Sequence, residues 1–380
     1  MLVVWHADGA TSSQFAQHVA RIPDYLWLAA DGMKMQGYNG CQLWDTAFSV
    51  QAIVATGLSD EFVHCLRRAH HFLDISQVVE ETKDREKWFR HQSKGAWPFS
   101  TRDHGWPISD CTAEGLKSAL LLAKWPGLGA QPLPKERLFD AVDVILSLQN
   151  EDGGWATYEQ TRGSTVLEVL NPSEVFHNIM IDYSYVECSS ASIQALAHFA
   201  TAYPYYRSDD VQRAILNGAV FIMRAQRVDG SWYGSWAVCF TYASWFGVLG
   251  LIAAGLPRDA VPIQRAVAFL ESKQQADGGW GETFASSETM EYTHSEGSQV
   301  VNTAWAMLAL IAARYSDLDR LERAANLLIS RQQPNGNWLQ EGISGVFNAN
   351  CAISYSAYKN YFPIWALGAY HHFVKAHAKL

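Results

Sequence analysis

The stretch Gln149-Asn-Glu-Asp-Gly-Gly-Trp155 contains a pattern that this chain repeats: a glutamine, five residues and a tryptophan, with glycine two places before the tryptophan. The same spacing occurs at Gln226 to Trp232, Gln274 to Trp280 and Gln332 to Trp338. An apolar segment with helical periodicity precedes each copy. Repetition of one unit at this scale predicts an array of stacked supersecondary structures.

Each residue type in the repeat has a physical role. The glutamine amide can hydrogen-bond free backbone groups at a helix end, and the glycine permits a tight turn. The turn then places the indole against a neighbouring repeat. Tryptophan used only as core filler would be scattered, which four identical spacings disfavour. A helix over 62–77 ends in Gln77 without a tryptophan at this spacing, so we interpret it as a degenerate repeat.

The apolar periodicity predicts an all-α chain with almost no strands. Paired helices joined by short turns close most naturally into an α/α toroid of the (α/α)6 type, with inner and outer helices alternating around a central hollow. The predicted helices lie near residues 14–20, 44–55, 62–77, 112–123, 136–149, 190–203, 209–226, 243–255, 261–275, 300–314, 318–333 and 361–378.

The extent of the repeats along the chain predicts the domain organisation. Residues 1–22 are interpreted as a tail that continues from a missing amino-terminal half, and residues 23–380 as one α/α-barrel domain. The segment 230–257 carries no charge and exceeds the roughly 20 residues that a membrane-spanning helix needs. Because it starts inside a repeat turn and contains five glycines, we favour a turn followed by a fully buried helix.

Composition excludes several classes of function. The formal charge of −9, with 29 basic and 38 acidic side chains, gives no surface for nucleic acid. Six cysteines lie far apart without a CxxC pair, which indicates reduced thiols in a protein that is not secreted. The sequence offers no zinc site, so neither a metal ion nor an organic cofactor is predicted.

The segment Asp110-Cys-Thr-Ala-Glu114 at the start of a predicted helix is the strongest candidate for chemistry. An isolated acidic residue here could simply cap the helix. However, Trp97, Phe99 and His104 crowd the same loop, and such surroundings raise a carboxyl pKa and keep the acid protonated. A protonated carboxyl can generate a cation, which aromatic faces stabilise without forming a bond.

Four further motifs are Met33-Lys-Met-Gln-Gly, Gln42-Leu-Trp-Asp-Thr-Ala-Phe48, Gly345-Val-Phe-Asn348 and Phe362-Pro-Ile-Trp-Ala-Leu-Gly368. Together with the repeats and the Asp110 segment, they resemble the motifs of the oxidosqualene cyclases. The resemblance extends over nearly the whole chain from about residue 14.

The resemblance implies specific roles for residues of this chain. Asp110 would protonate the epoxide of 2,3-oxidosqualene. Cys111 and Cys188 would hydrogen-bond to that acid, and Glu114 would help to reprotonate it. Aromatic residues and one aliphatic residue near the substrate channel would form the cavity wall. They are Trp44, Phe99, Tyr158, Phe176, Trp236, Phe347, Tyr355, Tyr358 and the channel residue Ile179.

Three positions bear on the product. Tyr38, His104 and Ile108 resemble the triplet of the cycloartenol-forming members rather than the lanosterol-forming ones. Tyr38 and His104 could form a hydrogen-bonded pair that removes a proton, while the bulk of Ile108 restricts rotation of the intermediate. The stretch Asn171-Pro-Ser-Glu-Val-Phe176 is closer to the lanosterol type, so a lanosterol synthase-like product is the alternative.

The family's enzymes carry two α-barrel domains, and this chain resembles the carboxy-terminal one. The resemblance therefore implies an amino-terminal cyclase half as a partner. It also implies monotopic contact with the endoplasmic reticulum membrane, or with lipid droplets.

Three other functions are open to this sequence. One is a non-catalytic remnant that binds squalene- or sterol-like ligands. Another is a glycosidase with Asp110 and Glu114 as its carboxylate pair, although the two thiols and the scarcity of polar side chains disfavour it. The third is a protein prenyltransferase β-subunit, which needs a zinc site that these residues do not assemble.

Overall fold

The computed structural model describes residues 1–29, 32–37, 39–128 and 132–378, which divide into two compact units, Met1–Gly40 and Cys41–Leu380. The break falls after Gly40, whereas the sequence predicts one after residue 22. In the first unit, the hydroxyl of Ser12 accepts the N–H of Phe15 and caps the second helix. This unit consists of helices α1 (Leu2–Asp8) and α2 (Ser13–Arg21) and the antiparallel hairpin β1 (Leu26–Ala29) and β2 (Gly32–Met35).

The second unit is predominantly helical. Its elements are α3 (Gln42–Thr56), α4 (Val63–Ser76), α5 (Ser109–Ala123), α6 (Lys135–Ser147), α7 (Val186–Ala202), α8 (Ser208–Ala225), α9 (Phe240–Ala253), α10 (Val261–Lys273), α11 (Ala285–Thr289), α12 (Val300–Ala312), α13 (Leu318–Ser330), β3 (Gly345–Phe347), β4 (Cys351–Ile353) and α14 (Tyr358–His377). Every helix predicted from the sequence is present. The expectation of almost no strands missed two short hairpins, β1 with β2 and β3 with β4.

Six inner helices form a closed ring. In ring order they are α3, α5, α7, α9, α12 and α14; each packs against the next, and α14 packs against α3. Five outer helices, α4, α6, α8, α10 and α13, pack on the outside of this ring. The α/α toroid predicted from the sequence is therefore confirmed.

Burial along each helix explains its layer. Inner helix α12 is buried at 11 consecutive positions from Val300 to Leu310, as its largely apolar sequence requires. Outer helix α13 buries one face, which consists of Leu321, Ala324, Ala325, Leu327 and Leu328. The opposite face of α13 is mostly polar and lies at the surface.

The uncharged segment 230–257 forms a repeat turn followed by the inner helix α9. Phe240–Ala253 is buried at most of its positions. Within the described ranges, no helix is both long and apolar enough to cross a membrane. The interpretation as a turn and a buried helix is confirmed.

The repeated glutamine and tryptophan join neighbouring outer helices. The Gln149 amide donates to the carbonyl oxygen of Gly153 at 2.9 Å and to that of Ala214 in α8 at 2.9 Å. The indole N–H of Trp155 donates to the carbonyl oxygen of Ile145 at 2.7 Å. Trp232, Trp280 and Trp338 bond in the same way to the carbonyls of Ile222, Leu270 and Leu328. Each indole thus satisfies a free carbonyl at one helix end. Gln226 and Gln274, like Gln149, also tie their helix to the next outer helix through the carbonyls of Pro262 and Arg320, whereas Gln332 donates to Gly336 within its own turn.

Glycine is required at the turn. Gly153 has φ of 89°, and a Cβ atom there would lie 2.5 Å from the carbonyl oxygen of Asn217. Any larger residue would be strained by both its backbone conformation and the close approach of α8.

The repeat at Gln77 is complete rather than degenerate. Its amide donates to the carbonyl of Gly95 at 2.8 Å, and the indole of Trp97 donates to the carbonyl of Leu73 at 2.8 Å. Residues 78–94 separate the glutamine from its glycine and tryptophan. Because of this insertion, the spacing that the other four repeats share does not reveal this one.

Aromatic side chains fill part of the ring interior. Phe48 of α3 and Trp245 of α9 project from opposite sides of the ring, and their ring centroids are 6.0 Å apart. Phe362 of α14 packs against both of them, and Trp305 of α12 packs against Phe362. At this level the expected central hollow is filled by these side chains.

Candidate active site

The first turn of α5 carries the candidate acid. The N–H of Ser109 donates to the carbonyl oxygen of Thr157 at 2.8 Å, and its hydroxyl donates to that of Ala156. These two bonds tie the start of α5 to the turn that follows Trp155. The repeat therefore fixes the position of the next residue, Asp110.

Asp110 is 7% exposed and has few polar neighbours. One carboxyl oxygen, Oδ1, accepts the main-chain N–H of Cys111 at 2.8 Å. Burial raises the pKa of Asp110 to about 6, while the N–H of Cys111 and a hydrogen bond from the Cys188 thiol act in the opposite direction. Asp110 is thus largely protonated below about pH 6. When it gives up its proton, these donors stabilise the carboxylate that results.

The two thiols beside Asp110 are buried. Cys111 and Cys188 are 1% and 0% exposed, and burial raises the pKa of each thiol well above its usual range. The Sγ atom of Cys188 lies 3.5 Å from the hydroxyl of Thr157. Both cysteines therefore remain protonated and act as hydrogen-bond donors rather than nucleophiles.

Glu114 lies one helical turn from Asp110 and belongs to a buried polar network. Its carboxylate accepts from the Gln51 amide at 2.6 Å and from the ammonium of Lys117 at 2.9 Å. Lys117 also donates to the amide oxygen of Gln194 at 3.0 Å. Glu114 and Lys117 are 0% and 4% exposed, so this is a buried ion pair that links α3, α5 and α7.

One group of predicted wall residues is in mutual contact at the starts of α3 and α14. The ring centroids of Trp44 and Phe99 are 5.9 Å apart, and those of Phe99 and Tyr355 are 6.3 Å apart. Tyr355 stacks on Tyr358 at 4.5 Å, and the Trp44 indole donates to the Tyr358 hydroxyl at 2.8 Å.

A second group lies before α9 and in β3. Trp236 packs edge to face on Phe347 at 4.6 Å, and Phe176 packs on Phe347 at 5.9 Å. Tyr185, which the sequence analysis did not single out, packs on Trp236 at 5.2 Å. The loop of Trp236 pairs with β3, because Ala237 and Gly345 form an antiparallel bridge.

Tyr158 lies beside the acid. Burial raises the pKa of the Tyr158 phenol, and the nearby Cys111 and Asp110 raise it further. Its main-chain N–H donates to Oδ2 of Asp182 at 2.6 Å. Asp182 was also missed by sequence reasoning, and it holds the loop that presents Tyr158.

Rings in both aromatic groups are accessible to solvent. Trp236, Phe347 and Tyr355 are partly exposed, whereas Trp44, Tyr358 and the indoles of the repeats are buried. The partly exposed rings can contact a bound molecule.

Two of the predicted site residues do not lie in this cluster. His104 and Ile179 lie at the surface, and Ile179 is 43% exposed. Ile108 is buried next to the acid, at 3% exposure. Tyr38 lies outside the described residues, so the predicted Tyr38–His104 pair stays a prediction.

Glu187 is a buried functional candidate that the sequence analysis did not name. It is 1% exposed and stands in the first turn of α7, directly before Cys188. Burial raises its pKa to about 7. An acidic residue inside the apolar helix start Tyr185-Val-Glu-Cys188 was the signal that could have identified it.

Comparison with known proteins shows one family throughout the ring. Residues 41–372 match the family model "Squalene-hopene cyclase C-terminal domain". The chain is 57% identical to a cycloartenol synthase of Dictyostelium discoideum over 97% of its own length and 52% of that protein. It is 53% identical to a lanosterol synthase of Mus musculus, over 97% of its own length and 51% of that protein. The chain thus spans about half the length of these curated relatives.

The fold is also shared with a solved terpene cyclase. The apo type II terpene cyclase MstE from Scytonema superposes with a TM-score of 0.55, over 93% of this chain and 92% of that one. At 17% sequence identity, this likeness shows the fold alone.

Proposed function

The chain belongs to the squalene-hopene cyclase C-terminal domain family, and from this premise we propose that it carries the acid centre of an oxidosqualene cyclase. The substrate would be 2,3-oxidosqualene and the product a sterol precursor, which we expect to be cycloartenol. The observation that carries the proposal is the buried carboxyl of Asp110, whose pKa is raised to about 6 by burial, beside two buried thiols and near the rings of Tyr158 and Tyr355.

Each part of the site supports one step of such a reaction. Asp110 gives its proton to the epoxide oxygen, and the C–O bond breaks as the neighbouring alkene attacks the carbon. The positive charge then moves along the chain as further C–C bonds form, and the faces of Trp236, Phe347 and Tyr355 stabilise it. The final cation loses one proton, so substrate and product are isomers.

One incubation tests this function. The purified chain, alone and co-expressed with an amino-terminal cyclase half, is supplied with 2,3-oxidosqualene, and products are identified by mass spectrometry. Cyclised product in either sample supports the proposal. Binding of squalene-like ligands without any product would instead make the chain a non-catalytic binding protein.

We expect Ile108→Val to change the product ratio. Ile108 is buried directly before the helix that carries Asp110, and losing one methylene loosens packing by about 0.5–1.5 kcal/mol. The intermediate then rotates more freely, and part of the output should move from cycloartenol to lanosterol-type alkenes. Gas chromatography with mass detection measures the ratio. Total turnover should change little, and an unchanged product spectrum would contradict the role of Ile108.

Cys188→Ala should slow turnover and shift its pH dependence. The thiol lowers the pKa of Asp110, so its loss makes the carboxyl a weaker acid. Turnover requires protonated Asp110 and falls as pH rises through its pKa; a higher pKa therefore moves this fall to higher pH. The measurement is a pH profile of cyclisation, with Cys111→Ala tested alongside. A variant that changes only thermal stability would assign its cysteine to packing.

The same proposal includes a membrane surface, at the endoplasmic reticulum or on lipid droplets, from which the apolar substrate enters. Exposed apolar side chains support it: Val166, Val169 and Leu170 are 70%, 85% and 67% exposed. Flotation with phosphatidylcholine vesicles tests it. A chain that stays at the bottom of the gradient, with and without the amino-terminal half, would refute membrane contact.

A further inference from the structure

Glu187 connects the acid centre to a loop of the aromatic wall. Its side-chain oxygen Oε1 accepts the main-chain N–H of Ser235 at 2.6 Å and that of Trp236 at 3.2 Å. The next residue in α7 is Cys188, whose thiol lowers the pKa of Asp110. One helical turn thus carries both a side chain that acts on the acid and the acceptor that holds the Trp236 loop.

The indole of Trp236 depends on this main-chain anchor. Among the described residues its buried ring N–H has no hydrogen-bond partner, whereas the indoles of the repeats each donate to a carbonyl. The ring is held by its main chain and by packing against Tyr185 and Phe347. Movement of the loop would therefore move the indole.

The anchor also reaches Phe347. The N–H of Asn348 donates to the carbonyl oxygen of Ser235 at 3.1 Å, and the N–H of Val346 donates to that of Trp236 at 3.4 Å. The loop held by Glu187 is therefore paired with β3, so one carboxyl sets the position of two rings.

We propose that Glu187 is a positioning residue that fixes Trp236 and Phe347 relative to Asp110 and thereby controls which product the cyclisation yields. This inference rests on the proposed function. Small displacements of an aromatic face change how well it stabilises one cation over another. Because Asp110 itself is not altered, the effect falls on the product ratio more than on epoxide opening.

The role needs an acceptor oxygen and not a charge. Oε1 makes both main-chain bonds, while Oε2 is buried without a partner. Glutamine keeps an oxygen at the position of Oε1, so Glu187→Gln should retain the anchor. Glu187→Ala removes it and leaves two buried N–H groups unpaired.

Two measurements on each variant test the proposal. Hydrogen exchange followed by mass spectrometry on the chain reports the protection of the amides of Ser235 and Trp236. Product analysis in the active preparation reports the ratio of cyclised products. Glu187→Ala should raise exchange at both amides and change the product ratio about tenfold, equivalent to 1.4 kcal/mol. Glu187→Gln should match the unsubstituted protein in both.

Glu282→Ala is the matched control. Glu282 is 0% exposed and accepts the main-chain N–H groups of Cys239, Phe240 and Thr241 at the start of α9. It anchors no ring of the two aromatic groups. The substitution should lower stability without altering the product ratio. If Glu187→Ala does not fold, Glu187→Asp, which is shorter by one methylene, should show the same exchange and product changes.

Each contrary result would refute a different part of the proposal. Unchanged exchange at Ser235 and Trp236 in Glu187→Ala overturns the anchor, whether or not the protein is active. An unchanged product ratio with increased exchange overturns its control of the product. A Glu187→Gln variant as altered as Glu187→Ala would show that the carboxylate acts by its charge. Absence of any cyclised product from the unsubstituted protein would refute the proposed function, while the exchange data still decide the anchor.

Discussion

Asp110→Asn should abolish cyclisation while leaving the fold intact. The amide oxygen of asparagine can still accept the N–H of Cys111, and the side chain has the same volume, so the first turn of α5 keeps its geometry. An amide cannot deliver the initiating proton. We expect a loss beyond the roughly 10²–10⁴-fold typical of general acid catalysis, because in the proposed mechanism Asp110 supplies the proton that opens the epoxide.

The measurement is product formation from 2,3-oxidosqualene in a preparation where the unsubstituted protein is active. Circular dichroism and thermal melting serve as the control for folding. Cys188→Ala provides a second comparison, since it changes the acid without removing it. If the Asp110→Asn protein kept a tenth of the activity, another group would be the acid.

Lys117→Met should destabilise the ring more than any surface substitution. It leaves Glu114 buried at 0% exposure without its ammonium partner. Breaking one side of a buried ion pair typically costs about 3–5 kcal/mol, because an uncompensated charge stays in the interior. Urea unfolding followed by circular dichroism measures the difference in the free energy of unfolding.

The double variant Glu114→Gln, Lys117→Met separates charge from volume. A glutamine at position 114 can still accept from the Gln51 amide, and the double variant leaves no charge unpaired. We expect it to recover most of the lost stability. A single Lys117→Met variant as stable as the unsubstituted protein would mean that water or a conformational change compensates the carboxylate.

The helices were predictable because their signals are local. Apolar periodicity and the repeat spacing identify the helices of both layers of the ring. Only the predicted ends of these helices differ from the ends in the structure. The sequence predicts a helix from residue 190, but α7 begins at Val186, because the N–H of Tyr185 bonds to the carbonyl oxygen of Trp155. No capping side chain marks that start, so its signal is tertiary rather than local.

The aromatic wall and its supports were less accessible to sequence reasoning. The acid and its thiols could be assigned by resemblance, since their motifs are short and distinctive. Glu187 could be noticed as an acidic residue in an apolar helix start, but its partners could not be predicted, because the main-chain groups it accepts lie 48 and 49 residues away. The insertion 78–94 hid one repeat because it separates Gln77 in sequence from Gly95, although the two residues are hydrogen-bonded in the fold.

Closure of the ring by α14 against α3 has a consequence for how the chain folds. The hydrogen bond between Trp44 and Tyr358 joins residues 314 positions apart. In an open array of repeats, structure can spread from neighbour to neighbour and the end units unravel first. In this closed ring, one side of α3 has no packing partner until α14 has been synthesised. During synthesis the apolar surface of α3 must therefore be kept from contact with other chains until α14 packs against it.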